Sequence, residues 1–152
     1  MRLAAIALAV LLTACAAEPP RATPAAAQAP TSLAGTNWEL VELRSSDDAI
    51  GVVRVQDPTR YTLAFDTEGN AFLRLDCNRG RGRVTITPER ADMGRLQFGP
   101  VAATRALCPP GSLGPRLERE IGAVRLYVMQ PDGRLRLELF ADGGQQIWQR
   151  AP

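Results

Sequence analysis

The sequence predicts one mainly β domain of the α+β class, in which about eight short antiparallel strands form a curved sheet or a partly open barrel with one short helix. Three observations predict this fold: short segments with an apolar residue at every second position, turn-forming residues between these segments, and one segment with helical spacing. So many strand edges, with so little helix to cover them, favour a sheet that curves on itself. The length of 152 residues fits one such domain.

The strands are predicted where apolar and polar residues alternate. They span residues 37–43, 61–66, 71–75, 83–87, 95–98, 125–129, 134–140 and 145–150. The first strand differs from the others because both of its faces are apolar, and we therefore expect it to be covered on both sides. Its two faces carry Trp38 with Leu40, and Val41 with Leu43.

Turn-forming residues separate these strands. Residues 67–70 and 131–133 contain Gly beside Asn, Asp or Pro, so each is expected to close a hairpin. Residues 45–57 and 88–94 are polar and irregular, and we predict loops there. The Gly-Arg-Gly segment 80–82 interrupts the alternation, so we expect a break in the strand at this point.

One helix is predicted over residues 115–123. Pro115 suits the first turn of a helix, where its missing N–H is not needed. Leu117 and Ile121 are four residues apart and therefore stack on one face. Gly122 keeps the helix short.

The N-terminus reads as an export signal. The apolar run 3–12 follows Arg2 and is too short to span a bilayer, as is typical of secretory signals. The sequence Leu-Thr-Ala-Cys at 12–15 looks like the lipobox of bacterial lipoproteins, which is cleaved before a cysteine that then carries a lipid. The prediction is therefore a signal peptide at 1–14 and lipidation of Cys15. The alternative is an ordinary signal peptide with a chance cysteine after it.

The segment after Cys15 predicts a tether and a location. Residues 15–32 are rich in Ala and Pro and cannot bury a core, so we expect an extended, disordered linker between the lipid and the domain at 33–152. Ala16 occupies the position at which an aspartate commonly retains lipoproteins in the inner membrane. We therefore predict an outer-membrane lipoprotein that faces the periplasm.

Cys77 and Cys108 form the remaining even pair in an exported chain, where disulfides persist. We predict a structural disulfide, whose loop of about 30 residues would stabilise the fold by roughly 3–4 kcal/mol. The alternative is a reactive redox pair. The two cysteines, however, lack the C-x-x-C spacing of such pairs and have no neighbouring histidine.

The composition excludes several kinds of chemistry. The chain contains no histidine, and all of its basic side chains are arginines, so conventional hydrolase triads and Ser-Lys dyads are absent. No calcium-loop spacing appears. A pair of catalytic carboxylates has no spacing signature and stays open. The formal net charge of +2 is too small to indicate nucleic acid. We expect no enzyme activity, no cofactor and no metal.

Arginines near the first of these cysteines are the best binding candidates. Arg79, Arg81 and Arg83 alternate, so in an extended strand they project to one side and could hold phosphate or carboxylate groups. The alternative is a solvated outer face. Arg105 lies in an otherwise small and apolar stretch, and we expect it to pair with a carboxylate such as that of Asp76.

The chain resembles the META domain (HslJ-like) family over residues 33–150. Five segments carry the resemblance in order: Leu33 to Leu40, Leu63 to Asp66, Cys77 to Arg79, Phe98 to Pro100, and Thr104 to Pro109. Asp76 stands where the family usually has Gly, and Gly80 stands where an aromatic residue often follows the arginine. The first departure could alter the local turn. The second puts in doubt any family surface that uses the aromatic residue.

The resemblance implies a small envelope lipoprotein domain linked to stress or antibiotic tolerance, without established catalytic residues. We predict a monomeric, non-enzymatic lipoprotein that binds an envelope protein or an anionic or apolar ligand. Its predicted binding surface comprises Asn78, Arg79, Arg81 and Arg105. Two alternatives remain open, an inhibitor of a lysozyme-like hydrolase and a barrel that carries a lipid or acyl chain.

Overall fold

A computed structural model describes residues 32–47 and 49–152 of the chain. The predicted signal peptide, Cys15 and all but the last residue of the tether lie outside the described residues. Within them the structure has nine strands, one α-helix and a single 3-10 turn at Pro58–Arg60. The strands are β1 Thr36–Arg44, β2 Val52–Arg54, β3 Tyr61–Phe65, β4 Asn70–Leu75, β5 Asn78–Arg90, β6 Met93–Ala103, β7 Val124–Met129, β8 Leu135–Leu139 and β9 Gln145–Arg150, and the helix is α1 Gly114–Ile121.

Eight of these strands close into an antiparallel barrel. Each strand pairs with the next in the order β1-β3-β4-β5-β6-β7-β8-β9, and β9 pairs back onto β1. The short β2 is not part of this closed order. It pairs with the second half of β1, on the same edge on which β3 pairs with the first half. The predicted mainly β fold is confirmed, and the pairing of β1 with β9 makes the barrel closed.

Large side chains fill the inside of the barrel. Trp38, Trp148 and Phe65 are fully buried, together with leucines from most of the strands. In an eight-stranded barrel the interior is just wide enough for side chains to fill it. The inward positions therefore form the hydrophobic core.

A β-bulge in β1 explains why its two faces look alike in the sequence. The register against β9 shifts between Leu40 and Glu42, so one extra residue, Val41, is accommodated there. Leu43 consequently returns to the inside of the barrel and is buried beside the face that carries Trp38. The two apolar faces therefore do not alternate regularly along β1, although its outer side is largely covered, since Glu39 is buried and Val41 half-buried.

The predicted break at residues 80–82 was also wrong, because β5 runs through both glycines. Both face inward, where a Cβ on either would lie 3.0 Å from a side-chain carbon of Val101 on β6. A larger residue would push β6 away. These glycines are needed for close strand packing.

Two predicted loops contain strand residues. The segment 45–57 includes β2, and the segment 88–94 is the tip of the β5–β6 hairpin, in which Arg90 pairs with Met93. β2 has only three residues, Val-Val-Arg, which is too short to show an alternation, and the tip of the β5–β6 hairpin holds polar residues in extended structure through main-chain pairing.

The predicted helix is confirmed, with bounds shifted to Gly114–Ile121. Leu117 and Ile121 are buried as expected and join the core. A side chain at Gly114 would overlap the carbonyl oxygen of Leu75, so this end of the helix sits directly against the end of β4. Among the described residues, no helix is long and apolar enough to cross a membrane.

Candidate binding surface beside the disulfide

The predicted disulfide is present between Cys77 and Cys108, whose Cα atoms are 5.5 Å apart. Cys77 lies in the two-residue turn between β4 and β5, and Cys108 lies in the connection from β6 to α1. The bond therefore ties a hairpin turn to the segment that leads into the helix.

Asn78 fastens the same connection through its side chain. Its Nδ2 donates to the carbonyl oxygen of Ala106 at 3.0 Å, and its Oδ1 accepts from the Ala106 N–H at 2.7 Å and from the Thr104 hydroxyl at 2.9 Å. The side chain is only 8 % exposed. Asn78 therefore holds the loop at residues 104–108 in place, and it does not lie on the exposed surface where we expected a ligand.

The loop at 104–108 presents two side chains to solvent. Leu107 is fully exposed, and the Arg105 side chain is 86 % exposed. Arg105 lies 3.8 Å from Glu118 of the helix, so it does lie beside a carboxylate, but Asp76 was the wrong choice of partner. The physical reason is that another arginine already occupies the carboxylate of Asp76.

Asp76 pairs with Arg60, at 2.7 Å between Nε and Oδ1. The Asp76 side chain is 6 % exposed, and its backbone has a positive φ of 65°. An Asp tolerates this conformation better than most residues. The turn that the family usually builds with Gly is therefore kept, and Asp adds an ion pair to the 3-10 turn.

The hydroxyl of Ser112 and then the guanidinium of Arg60 lower the pKa of Asp76, against the opposing effect of burial. Asp76 Oδ2 has no hydrogen-bond partner among the described residues, whereas Arg60 donates to Oδ1.

Four arginines share the outer face of β4 and β5. Cross-strand pairing places Arg74 opposite Arg79 and Phe72 opposite Arg81, and Arg83 follows on β5. All four arginines are exposed, and none has a carboxylate within 4.0 Å in the described part of the chain. We call Arg74, Arg79, Arg81, Arg83 and Phe72 the arginine surface. The predicted projection of the three β5 arginines to one side is confirmed.

The arginine surface has an apolar centre. The guanidinium carbon of Arg81 lies 5.3 Å from the centre of the Phe72 ring, and Phe72 is still 40 % exposed. Phe72, Gly80 and Ala102 line a shallow depression of about 390 Å³ between the arginine side chains. Guanidinium groups around an apolar floor can bind phosphate or carboxylate groups in bidentate fashion.

Sequence reasoning missed Arg74 and Phe72. A two-residue turn at 76–77 puts residue 75 opposite 78, and the same register then brings Arg74 beside Arg79. A two-residue hairpin could have been predicted there, but Asp-Cys is an unusual turn sequence. No group of three Cys, Asp or Glu side chains within residues 32–47 and 49–152 could hold a metal ion.

Comparisons with known proteins agree with this architecture. A family model of the META domain matches residues 31–151. An NMR structure of a protein from Burkholderia xenovorans is 23 % identical, covers 91 % of this chain and 95 % of its own, and superposes with a TM-score of 0.61. That likeness supports the fold alone. No curated protein matches the chain. Because the family match extends over most of its length, the chain belongs to the META domain family.

Proposed function

We propose that this chain is a non-enzymatic lipoprotein of the bacterial cell envelope whose META domain binds anionic groups through the arginine surface. In this proposal Cys15 carries the lipid, the Ala- and Pro-rich segment is the tether, and the domain faces the periplasm from the outer membrane. The lipobox-like Leu-Thr-Ala-Cys sequence supports the anchor. A role in tolerance of envelope stress or antibiotics follows from the resemblance.

The observation that carries the proposal is that the arginine surface forms no ion pair with a carboxylate of the described residues. Asp76 and Asp66 act on Arg74 and Arg81 only at longer range. Like charges that face each other across two strands destabilise a sheet, and Arg74 faces Arg79 directly. On the face formed by β8, β9 and β1, by contrast, Arg44 and Arg136 lie beside carboxylates.

Arg83 donates to the carbonyl oxygen of Glu68 and to Asn70 Oδ1, and the guanidinium of Arg81 lies over the Phe72 ring. None of the four guanidiniums is held by a carboxylate of the described residues, so they can take anionic groups from outside the chain.

The packed interior separates this function from the carrier alternative. An acyl carrier needs an apolar cavity large enough for a chain. The space inside this barrel is occupied by Trp38, Trp148, Phe65 and their leucine neighbours. The outer surface is thus the better candidate for binding.

The loop at 104–108 favours a second candidate function, inhibition of a lysozyme-like hydrolase. Disulfide and Asn78 contacts fix its backbone while Arg105 and Leu107 project, and a preorganised loop loses little entropy on binding. An assay with c-type lysozyme tests this function. Arg105→Ala should abolish inhibition, and an absence of inhibition at micromolar protein removes the candidate.

The lipid anchor is tested by Cys15→Ser. Labelling with a radioactive fatty acid should disappear, and the protein should leave the membrane fraction. Ala16→Asp is the matched control, because it should keep the label and move the protein to the inner membrane. Persistent labelling and membrane association of Cys15→Ser would show that the chain is not a lipoprotein.

The arginine surface is tested in a strain that lacks the protein. We expect the deletion to sensitise cells to detergent or antibiotics, and the unchanged chain to restore tolerance. A variant with four Arg→Gln changes should reach the membrane but restore less than a tenth of the cell survival that the unchanged chain restores. The changed residues are Arg74, Arg79, Arg81 and Arg83. Full restoration by this variant would contradict the proposed function.

A further inference from the structure

We propose that the arginine surface docks on the anionic phosphate headgroups of the membrane that holds the lipid anchor. This inference names the ligand of the proposed function and rests on that function for the anchor. The occupant is a phospholipid bilayer, and the domain would lie against it on the outer face of β4 and β5.

The spread of the charges indicates an extended ligand. Neighbouring strands lie about 4.8 Å apart and residues on one face of a strand about 7 Å apart, so the four guanidiniums cover a band along two strands. All four stand on the outside of the barrel, and Arg79 and Arg81 border a shallow depression. A single small anion could contact one or two of them. A surface that carries many phosphates can contact all four.

Phe72 distinguishes a bilayer from a soluble polyanion. The ring lies between Ala64 of β3 and Arg81 of β5 in the cross-strand pairing, and it is 40 % exposed. A soluble polyphosphate would leave this ring in water. Aromatic side chains favour the boundary between headgroups and acyl chains, where Phe72 could be buried while the arginines stay with the phosphates.

The start of the folded domain lies near the same surface. Ser32, the first described residue, borders a depression that Thr85 also lines, and Thr85 is the next outward position after Arg83 on β5. The lipid anchor would therefore reach the domain from the side of the arginine surface. A tether of this length keeps the domain at a high effective concentration over the bilayer, so weak contacts are enough.

Sedimentation with vesicles tests the inference on the full chain carrying Cys15→Ser, which has no lipid of its own. Vesicles of phosphatidylglycerol and phosphatidylethanolamine are compared with neutral phosphatidylcholine vesicles. Every sample keeps the same apolar signal peptide at residues 1–14. Binding to neutral vesicles therefore measures the contribution of that peptide. We expect the partition coefficient to be more than 100-fold higher on anionic vesicles, since four basic residues each contribute roughly a fivefold factor.

Two sets of four Arg→Gln changes locate the binding. One set removes the arginines of the arginine surface. The control set removes four exposed arginines that lie beside carboxylates, Arg54, Arg90, Arg95 and Arg134. A basic residue near an anionic surface contributes roughly a fivefold factor, so the first set should lower the partition coefficient by more than 100-fold. The control should change it by less than tenfold. Equal losses in both sets would overturn the inference.

Phe72→Ala separates a membrane from a soluble polyanion. We expect it to weaken binding to anionic vesicles about fivefold and to leave binding of polyphosphate unchanged within twofold, because only the bilayer buries the ring. Binding of polyphosphate without binding of vesicles would overturn membrane docking and leave the proposed anion binding standing. Failure of Cys15 labelling would remove the anchor and leave this vesicle result unaffected. Circular dichroism establishes that each variant is folded.

Discussion

Two outer faces of the same barrel use arginine in opposite ways. On the face formed by β8, β9 and β1, Glu42 lies beside Arg44 and 3.8 Å from Arg54, and Arg136 lies 2.8 Å from Glu138. On the face formed by β4 and β5, four arginines have no acidic partner within the described residues. Both faces are polar in the sequence, so the difference arises from which residues the strand register brings together.

The paired face also covers an apolar residue. Ile147 lies opposite Glu42 and Arg136, on the outside of the barrel, yet it has no exposed surface. Long charged side chains can bury their aliphatic stems over such a residue. The charges of this face therefore belong to the fold, whereas those of the arginine surface are available to a ligand.

The largest effect is expected from Ile147→Ala. Removing a buried aliphatic side chain costs about 2–4 kcal/mol, because the lost contacts and the remaining space both destabilise the fold. Phe72→Ala is the matched change on the arginine surface and should cost less than about 1 kcal/mol, since the ring is partly exposed. Urea unfolding followed by tryptophan fluorescence measures both. Equal losses would mean that the two faces do not differ in their contribution to stability.

Asn78, which holds the loop at 104–108 beside the arginine surface, should show the next largest effect. Asn78→Ala leaves the N–H and carbonyl of Ala106 and the hydroxyl of Thr104 without their partner. We expect a loss of about 2 kcal/mol in the free energy of unfolding, because unsatisfied buried groups are costly.

Asn37→Ala is the control for this change, because Asn37 lies on an exposed position of β1. It should alter the free energy of unfolding by less than about 0.5 kcal/mol. Hydrogen exchange should also speed up at Ala106 in Asn78→Ala alone. If Ala106 stays protected there, Asn78 does not hold the loop.

Acid should weaken the ion pair between Asp76 and Arg60. Its pKa is lowered in the folded protein, by the Ser112 hydroxyl first and by Arg60 after it, so the ionised carboxylate stabilises the fold above its unfolded pKa of about 3.9. This contribution is lost as the pH falls through the lower folded pKa. Stability should therefore drop below about pH 4.

Asp76→Asn isolates this group from Asp66, whose pKa Asn70 also lowers. Asn tolerates the same positive φ and carries no charge. The variant should be less stable than the parent at pH 7, and the two stabilities should converge in acid. Thermal unfolding at several pH values measures this, and a constant difference between them would exclude Asp76 as the titrating group.

Local patterns predict much of this molecule. The alternation of apolar residues is enough to place β3, β4 and β8, and the spacing of Leu117 and Ile121 is enough to place the helix. Both patterns depend only on residues that are close in sequence. The closure of the barrel depends on pairing between β1 and β9, at opposite ends of the domain. The bulge at Val41 and the glycines facing Val101 likewise become visible only when the partner strand is in place.

The candidate site divides in the same way. The projection of Arg79, Arg81 and Arg83 follows from one strand, and it is correct. The partner of Asp76 depends on where the 3-10 turn at Arg60 lies, 16 residues earlier in the chain. Arg105 lies beside a carboxylate as expected, but that carboxylate belongs to Glu118 of the helix and not to Asp76, because the sequence does not show which acidic side chain the fold brings near Arg105.

The smallest change tests the comparison most directly. Arg74→Glu would place a carboxylate opposite Arg79 and turn the unpaired face into a paired one. Opposite charges across two strands stabilise a sheet by about 0.2–1 kcal/mol, so the variant should be slightly more stable than the parent. Its binding to anionic vesicles should fall, because one positive charge is lost and the new carboxylate neutralises Arg79. The reverse change on the paired face, Glu138→Arg, should destabilise the fold, since Glu138 lies 2.8 Å from Arg136. A loss of stability in Arg74→Glu would mean that the arginine surface is part of the fold after all.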